Sequence, residues 1–205
     1  FGYITFMARV SFSQYSMWHS CPHQYKLAYI DGLSESSSNI HSIFGTAMHE
    51  VLQHYLTVFY GVSKKQANML DLKTMLLESM RENFKKEQEK MPEGQLIASK
   101  EEMEEFYLDG IEILNWFAKH SDRLFSKKGW ELVGVEKVLN IKVKDNIHFN
   151  GFIDVLLKHK DTKEYWIKFQ KELKNFIKLF FKFYIYKYTE KYKNNKNLFK
   201  KFKCI

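Results

Sequence analysis

Apolar residues follow two different periods along the chain, and the period changes near residue 129. Before that point they recur every three or four positions, which is typical of helices that bury one face. After it they recur about every second position, which is typical of strands. We therefore expect a mixed α/β (α+β) fold, with a helical N-terminal half followed by a β-meander. The helices are predicted at residues 13–18, 22–30, 44–60, 72–84 and 99–125, and the strands at 130–143, 147–158 and 164–169.

Residues that favour helix ends support several of these boundaries. Ser13 and Asp71 are good N-caps, and Pro22 suits the first turn of the helix that it opens. Ser99 and Glu102 form a capping-box pattern, in which each side chain bonds the backbone N–H group of the other residue. The sequence therefore marks the start of four of the five predicted helices.

The composition changes abruptly inside the last predicted strand. From Lys168 to the C-terminus, 33 of 38 residues are Phe, Ile, Lys, Tyr, Asn or Leu, and no Ala, Gly, Val, Ser, Pro, Asp, His or Arg occurs. AT-rich nucleotide sequence encodes such a run when it is read without selection for a fold. We therefore interpret residues 168–205 as a tail in a non-native reading frame. In that case residues 190–205 should be poorly packed, with Phe199 and Phe202 exposed.

The positive charge of the chain belongs to this tail. The whole chain has a formal net charge of +8, which on its own would suggest nucleic acid or an anionic membrane as a partner. The tail holds 12 Lys and 2 Glu, whereas residues 1–167 hold 20 basic and 22 acidic residues. Net charge therefore indicates no partner for the body of the chain.

Cysteine content and hydropathy exclude two broad classes. Cys21 and Cys204 are too few for a disulfide framework or a zinc site, which fits a reducing cytoplasm. No run of about 18 apolar residues occurs, so we expect no membrane span. Met7 directly precedes the first recognisable segment, and we take it as the natural start, with residues 1–6 as an extension.

Gly45 and His49 are one helical turn apart in "FGTAMHEVL" and therefore share one face of the predicted helix. In a functional interpretation, His49 is a ligand, and Gly45 leaves a gap in which a nucleic-acid backbone or another strand can approach. In a structural interpretation, His49 caps the core-facing stripe and Gly45 eases helix packing. The spacing alone leaves both interpretations open.

Asp154 lies inside an otherwise apolar strand in "NGFIDVLL", three residues after Gly151. A carboxylate in such a strand is costly unless it is paired or bound to a metal, and a glycine allows close backbone approach. The alternative is a salt bridge between Asp154 and a lysine on a neighbouring strand. The residues themselves do not decide between the two.

Three segments in order resemble the RecB-like branch of the PD-(D/E)XK nuclease superfamily: "SFSQYSMWHSCPHQYKLAYIDGL", "FGTAMHEVL" and "VEKVLNIKV…FNGFIDVLL". The resemblance covers about residues 10–167 and implies a restriction-endonuclease-like core. It implies metal-dependent phosphodiester hydrolysis on DNA, as an exonuclease in repair, recombination or phage replication. His49 and Asp154 would hold Mg²⁺ or Mn²⁺. Glu136, on the strand before, either supports this site or is an exposed strand carboxylate.

The resemblance also sets expectations for the cysteines. In some members of this branch, a cysteine matching Cys21 joins three C-terminal cysteines around an iron–sulfur cluster. Only Cys204 lies downstream here, so we expect no iron–sulfur cluster.

The family requires an acid-x-Lys pair on the strand that follows the aspartate. A four-residue turn at 160–163 would place Asp154 opposite Phe169, so the pair is expected at 168 and 170. The carboxylate would complete the coordination of the metal, and the lysine would position the attacking water. This chain has Lys168 and Gln170 instead, at the point where its composition changes. The nearest substitute catalytic pair is Glu172 and Lys174, which in this hairpin register lies about three residues past Asp154.

These observations predict a RecB-like nuclease domain at residues 7–167 whose C-terminal part is incomplete, followed by the tail at 168–205. The expected function is that of a metal-dependent DNA exonuclease, inactive as written because of a frameshift or similar truncation near codon 168. One alternative is a catalytically dead nucleic-acid-binding remnant. A further alternative is a membrane-surface protein that uses its basic aromatic tail.

Overall fold

The computed structural model describes residues 8–33, 38–125, 127–144 and 147–168, except the side chains of Ala8, Ile167 and Lys168. Within these ranges the helices precede the long strands, which confirms the predicted mixed α/β class and is consistent with a restriction-endonuclease-like fold. The elements in chain order are β1 (Ala8–Ser11), α1 (Phe12–Ser20), α2 (Pro22–Tyr25), a π-helical segment (Lys26–Ile30), α3 (Ile40–Gly61), α4 (Lys64–Ala67), α5 (Leu72–Gln88), α6 (Lys100–Leu124), β2 (Trp130–Lys144), β3 (Ile147–His159) and β4 (Tyr165–Lys168).

Strand β3 is the centre of the sheet. It pairs antiparallel with β2 along its length, parallel with β1 at its start, and with β4 at its end. The hairpin between β3 and β4 closes through a bond from the His159 N–H group to the Glu164 carbonyl (2.8 Å), and Lys163 adopts a left-handed φ of 61°. The predicted four-residue turn at 160–163 is therefore correct.

The helical core is built around α3, which contacts α5 and α6. One face of α3 is buried, and the residues that form it are Ile40, Ile43, Phe44, Ala47, Met48, Val51, Leu52, Tyr55, Leu56 and Phe59. Leu76 and Met80 of α5 are buried as well, as are Phe106, Ile113, Leu114 and Phe117 of α6. Full burial of such a side chain contributes about 1.5–3 kcal/mol, so this three-helix contact is the main stabilising feature of the helical half.

Tyr55 places a polar group in the middle of that core. Its side chain is fully buried, and its hydroxyl contacts Asn68 Oδ1 at 2.6 Å and Ser121 Oγ at 3.1 Å. Ser121 Oγ in turn lies 3.2 Å from the Ala118 carbonyl, to which it donates. The hydroxyl is therefore satisfied, and it links α3 to α6 and to the residue that ends α4.

Two predicted helix starts are confirmed by their caps. Asp71 accepts from the Thr74 N–H group, and hydrogen bonds from Thr74 hold the pKa of Asp71 below its usual range. Ser99 and Glu102 form the predicted capping box. Pro22 likewise occupies the first turn of α2, as predicted.

The predicted cap at Ser13 is wrong. The cap of α1 is Ser11, which accepts from the Gln14 N–H group at 3.1 Å, while the Gln14 side chain accepts from the Ser11 N–H group at 2.7 Å. Ser11 is also the last residue of β1, a four-residue strand too short to show a period.

No helix among the described residues has both the length and the apolar character needed to cross a bilayer.

Gly110 allows α6 to approach α3 and α5 closely. A Cβ atom added there would lie 2.4 Å from Leu76 Cδ2 and 3.0 Å from Phe44 Cε2, and both of those side chains are buried. Gly45, by contrast, also lies within a helix but would place a Cβ atom with no neighbour within 4 Å. The two glycines therefore have different reasons to be glycine.

We expect Gly110→Ala to destabilise the protein. Overpacking a core typically costs ~1–3 kcal/mol, and the gain in helix propensity of up to ~1 kcal/mol offsets only part of this. Urea denaturation should therefore show a loss of about 1–2 kcal/mol. The matched variant Gly45→Ala should gain ~0.5–1 kcal/mol, since only propensity changes there. Equal effects of the two substitutions would contradict this account of the core.

Candidate active site

The exposed edge of α3 carries Gly45, His49 and Gln53, spaced four residues apart along one face. Burial of the adjacent stripe fixes the rotation of the helix and therefore the direction of this edge. The His49 side chain is about one-fifth exposed (20%). Because a Cβ atom at Gly45 would meet nothing, helix packing does not explain this glycine. Of the two interpretations of Gly45, this leaves the one in which the glycine makes room for a nucleic-acid backbone or another strand.

Gln53 connects His49 to Glu136. Its Nε2 atom lies 3.2 Å from His49 Nδ1 and donates to Glu136 Oε1 at 3.0 Å. An ionised carboxylate accepts hydrogen bonds and donates none, so Glu136 requires the NH₂ end of the Gln53 amide to face it. The same NH₂ group then donates to His49 Nδ1, which must be the unprotonated nitrogen of the ring. In neutral His49 the ring proton is therefore on Nε2.

This tautomer does not suit metal binding by His49. A histidine that binds a metal through Nε2 normally donates its Nδ1–H group to a carboxylate, a carbonyl oxygen or water. Glu136 Oε1 lies 3.9 Å from His49 Nδ1 and could accept that proton, but the Gln53 NH₂ group occupies Nδ1 instead. Metal binding by His49 through Nε2 would require the Gln53 amide either to turn, so that its Oε1 accepts from Nδ1–H, or to leave.

Glu136 has an unusual backbone conformation within β2. Its φ is 46°, in the left-handed region that residues other than glycine rarely adopt. The pairs Val135↔Val155 and Lys137↔Ile153 place Glu136 opposite Asp154 on the neighbouring strand. Like charges directly opposite each other destabilise a sheet. The Glu136 carboxylate accepts a hydrogen bond from Gln53 of α3. The prediction that Glu136 supports the site is consistent with this contact to His49 and Gln53.

Asp154 is half-buried near the middle of β3. Ile153 and Val155 on either side of it are buried, whereas Phe152 is exposed, so alternation places Asp154 on the same face as Phe152. Gly151, on the other face, has no neighbour within 4 Å of an added Cβ atom. Like Gly45, it is not required for packing among the described residues.

The donor set does not fit a divalent metal in this arrangement. Among the described residues, no three His, Cys, Asp or Glu side chains are grouped closely enough to hold an ion. His49, Glu136 and Asp154 therefore do not form a coordination set, and the convergence of His49 and Asp154 on one ion remains a prediction.

Sequence reasoning missed Gln53, although its position four residues after His49 was a signal that the two side chains could meet.

The described part of β4 ends where the acid-x-Lys pair is expected. Continued from the His159–Glu164 pair, a regular ladder places position 168 opposite Val155, on the other face from Asp154. A bend or bulge in β4 would be needed to bring an acid at 168 toward Asp154. Gln170, Glu172 and Lys174 lie outside the described residues, and so does the predicted exposure of Phe199 and Phe202.

Cys21 has a local structural role. Its Sγ accepts from the Gln24 N–H group at 3.4 Å and so caps α2, which the sequence analysis did not predict. Cys204 lies outside the described residues.

Comparison with known protein families assigns most of the chain to one family. Neither the curated proteins nor the solved structures contain a significant match to the chain. A family model of the PD-(D/E)XK nuclease superfamily, whose members are metal-dependent nucleases, matches residues 9–168, from β1 to the end of β4. This is well over half of the sequence. The chain therefore belongs to the PD-(D/E)XK nuclease superfamily.

Proposed function

We propose that this chain derives from a DNA exonuclease of the RecB-like branch and that its active site is incomplete. The observation that carries the proposal is the coincidence of two boundaries. The family match ends at residue 168, and the composition changes at the same residue. Residues 1–167 then contain the candidate ligands His49 and Asp154. The sequence departs from the family at the positions where a second carboxylate and a lysine are needed.

The proposed metal ligands are Asp154 and His49, with Mg²⁺ or Mn²⁺ as the ion. Mg²⁺ is a hard cation that prefers oxygen ligands, so Asp154 would be the stronger of the two. Such an ion would neutralise charge on the phosphate in a complete site. Here Gln53 donates to the His49 nitrogen that should carry a proton, and no third donor among the described residues is grouped with the pair. We therefore expect weak binding of the ion.

Lys168 adds an electrostatic reason for weak binding. Neighbouring strands lie about 4.8 Å apart, so a cation at this position raises the local potential on either face. In the regular register position 168 is on the other face from Asp154, so this repulsion is smaller than the about 4 kcal/mol that a unit charge contributes at ~4 Å and an effective dielectric near 20. The lysine therefore adds a weak repulsion to the loss of the second carboxylate.

DNA is the proposed partner. Gly45 leaves open space one helical turn from His49, which supports close approach of a nucleic-acid backbone. A cytoplasmic location, and a role in repair, recombination or phage replication, belong to the same proposal. The membrane-surface alternative depends on residues 168–205, of which all but Lys168 lie outside the described residues.

We expect no appreciable cleavage of linear DNA by this chain with Mg²⁺ or Mn²⁺. The catalytic lysine and the second carboxylate are absent at 170 and 168. The measurement is release of acid-soluble nucleotides, with Asp154→Ala as the matched variant, and both proteins should be silent. Robust cleavage that Asp154→Ala abolishes would instead indicate that Glu172 and Lys174 act as the catalytic pair.

A second prediction concerns the coding sequence. If the reading frame shifts near codon 168, one of the other two frames should encode an acid-x-Lys strand soon after Trp166. Sequencing the coding region from independent clones, and translating it in three frames, is the test. If neither alternative frame encodes such a pair, the frameshift is excluded.

A third prediction is that Gln53→Leu strengthens Mn²⁺ binding. The substitution removes the donor from His49 Nδ1, so Nδ1 can carry a proton and donate it to Glu136, which leaves Nε2 available to the metal. A hydrogen bond is worth ~0.5–1.5 kcal/mol, which corresponds to a gain of about two- to tenfold in affinity. Isothermal titration calorimetry measures the affinity, and ¹⁵N spectra of the imidazole report which nitrogen carries the proton.

The control for this experiment is Gln66→Leu, at an exposed glutamine of α4, which should change neither quantity. Asp154→Ala should lower Mn²⁺ affinity in the parent and in the Gln53→Leu variant. Weaker or unchanged Mn²⁺ binding by Gln53→Leu would show that Gln53 does not compete with the metal for His49.

A further inference from the structure

The face of the sheet that carries Asp154 has a row of basic residues at its far end. Arg9 of β1 pairs with His148 of β3, and His148 pairs with Lys142 of β2. Paired residues on neighbouring strands point to the same face, and His148 and Asp154 share a face because they are six residues apart on β3. The two cations therefore flank β3 on the face of Asp154.

Both cations are accessible. The Arg9 and Lys142 side chains are exposed, and two strand spacings of about 4.8 Å separate their backbones by roughly 10 Å. His148 between them is held by a contact of 2.8 Å between its Nδ1 atom and Asn140 Oδ1. Residues 1–167 carry slightly more acidic than basic residues, so this pair is a local concentration of positive charge rather than part of a basic surface.

An exposed aromatic side chain lies between these cations and Asp154. Phe152 is 66% exposed, and its cross-strand partner Val138 is 72% exposed. Phe152 is two residues from Asp154, about 7 Å along the strand, and His148 is about 20 Å from Asp154. Cations that track phosphates, combined with an aromatic ring on which a base can stack, are the two elements of a single-strand binding groove.

Asn150 supplies an independent sign of a missing partner. It lies on the same face between His148 and Phe152, and its Oδ1 atom is buried without a hydrogen-bond partner among the described residues. Buried polar atoms are nearly always hydrogen-bonded, so a donor from outside the described residues belongs there. A bound water has the required chemistry and size, because the buried atom is not accessible to a base.

We propose that this face binds single-stranded nucleic acid, with phosphates at Arg9 and Lys142 and a base stacked on Phe152 beside Asp154. The inference deepens the proposed function by naming the path of the substrate strand. It requires neither a bound metal nor catalysis, because charge and stacking alone hold the strand. It therefore applies equally to an active enzyme and to an inactive descendant.

The test measures binding of the full chain to a fluorescein-labelled 20-nucleotide single strand in EDTA, across a range of salt concentrations. Arg9→Ala/Lys142→Ala should reduce the slope of log K against log salt by about 1.4, or 0.7 for each lost phosphate contact. The matched control is Lys85→Ala/Lys86→Ala, which removes the same charge from exposed positions in the last turn of α5, away from the sheet. The lysine-rich tail is unchanged in all variants, so its contribution cancels.

Stacking is tested separately at Phe152. Phe152→Leu should weaken binding roughly five- to hundredfold, whereas Phe152→Trp should retain it, since Trp keeps an aromatic face. Urea denaturation checks that all variants keep the stability of the parent. Equal slopes for the two lysine-containing pairs, or parental binding by Phe152→Leu, would overturn this inference.

Manganese titration of the same proteins separates this inference from the proposed active site. Variants that lose the oligonucleotide but bind Mn²⁺ as the parent does support the strand path and leave the active-site proposal unaffected. Parental oligonucleotide binding in every variant overturns the strand path alone.

Discussion

The structure depends on one constraint, which is that α3 serves the core and the candidate site at the same time. Ten of its 22 residues are buried against its neighbours, so the helix cannot rotate without exposing them. A rotation by one residue position, 100°, would move several of these side chains into water at ~1.5–3 kcal/mol each. The edge that carries Gly45, His49 and Gln53 is therefore held toward β2 by packing that has no part in the chemistry.

That rigidity makes the contact between Gln53 and Glu136 informative. Glu136 adopts a left-handed backbone opposite Asp154, and its carboxylate accepts from Gln53 on α3. A conformation of this kind costs ~1–2 kcal/mol per residue and persists where the surroundings impose it. The Glu136 carboxylate in this conformation accepts from Gln53. The same contact sets the tautomer of His49 and so opposes metal binding through Nε2.

The sequence predicted the elements whose signals are local. Periodicity located the long helices and strands, and the caps at Asp71 and Ser99 are as predicted. The four-residue turn was predictable because its length sets the pairing of His159 with Glu164. β1 was not predictable, since four residues show no period and their partner lies about 140 residues away. The cap of α1 was misplaced by two residues, because Ser11 and Ser13 offer the same hydroxyl and only the end of β1 distinguishes them.

The candidate site was predictable as a set of residue types but not as an arrangement. His49 and Asp154 were recognisable because a polar residue stands in an apolar context in each case. The role of Gln53 depends on which end of its amide faces Glu136, which spacing does not reveal. The row formed by Arg9, His148 and Lys142 exists only because three strands meet in register.

Binding and catalysis make different demands on such a site, so a chain can keep binding its substrate after it has lost catalysis. Catalytic groups must be held within ~0.5 Å of the productive geometry, so under the proposed function the residues at 168 and 170 would be sufficient to end the reaction. Binding through phosphates is sequence-independent and tolerates several ångströms of adjustment by long side chains. Phe152 lies two residues from Asp154 on β3, and Arg9 and Lys142 flank β3 further from Asp154. None of the three depends on β4 for its position. A chain that lost the chemistry at β4 would therefore keep, on β1 to β3, the surface that we propose holds the strand.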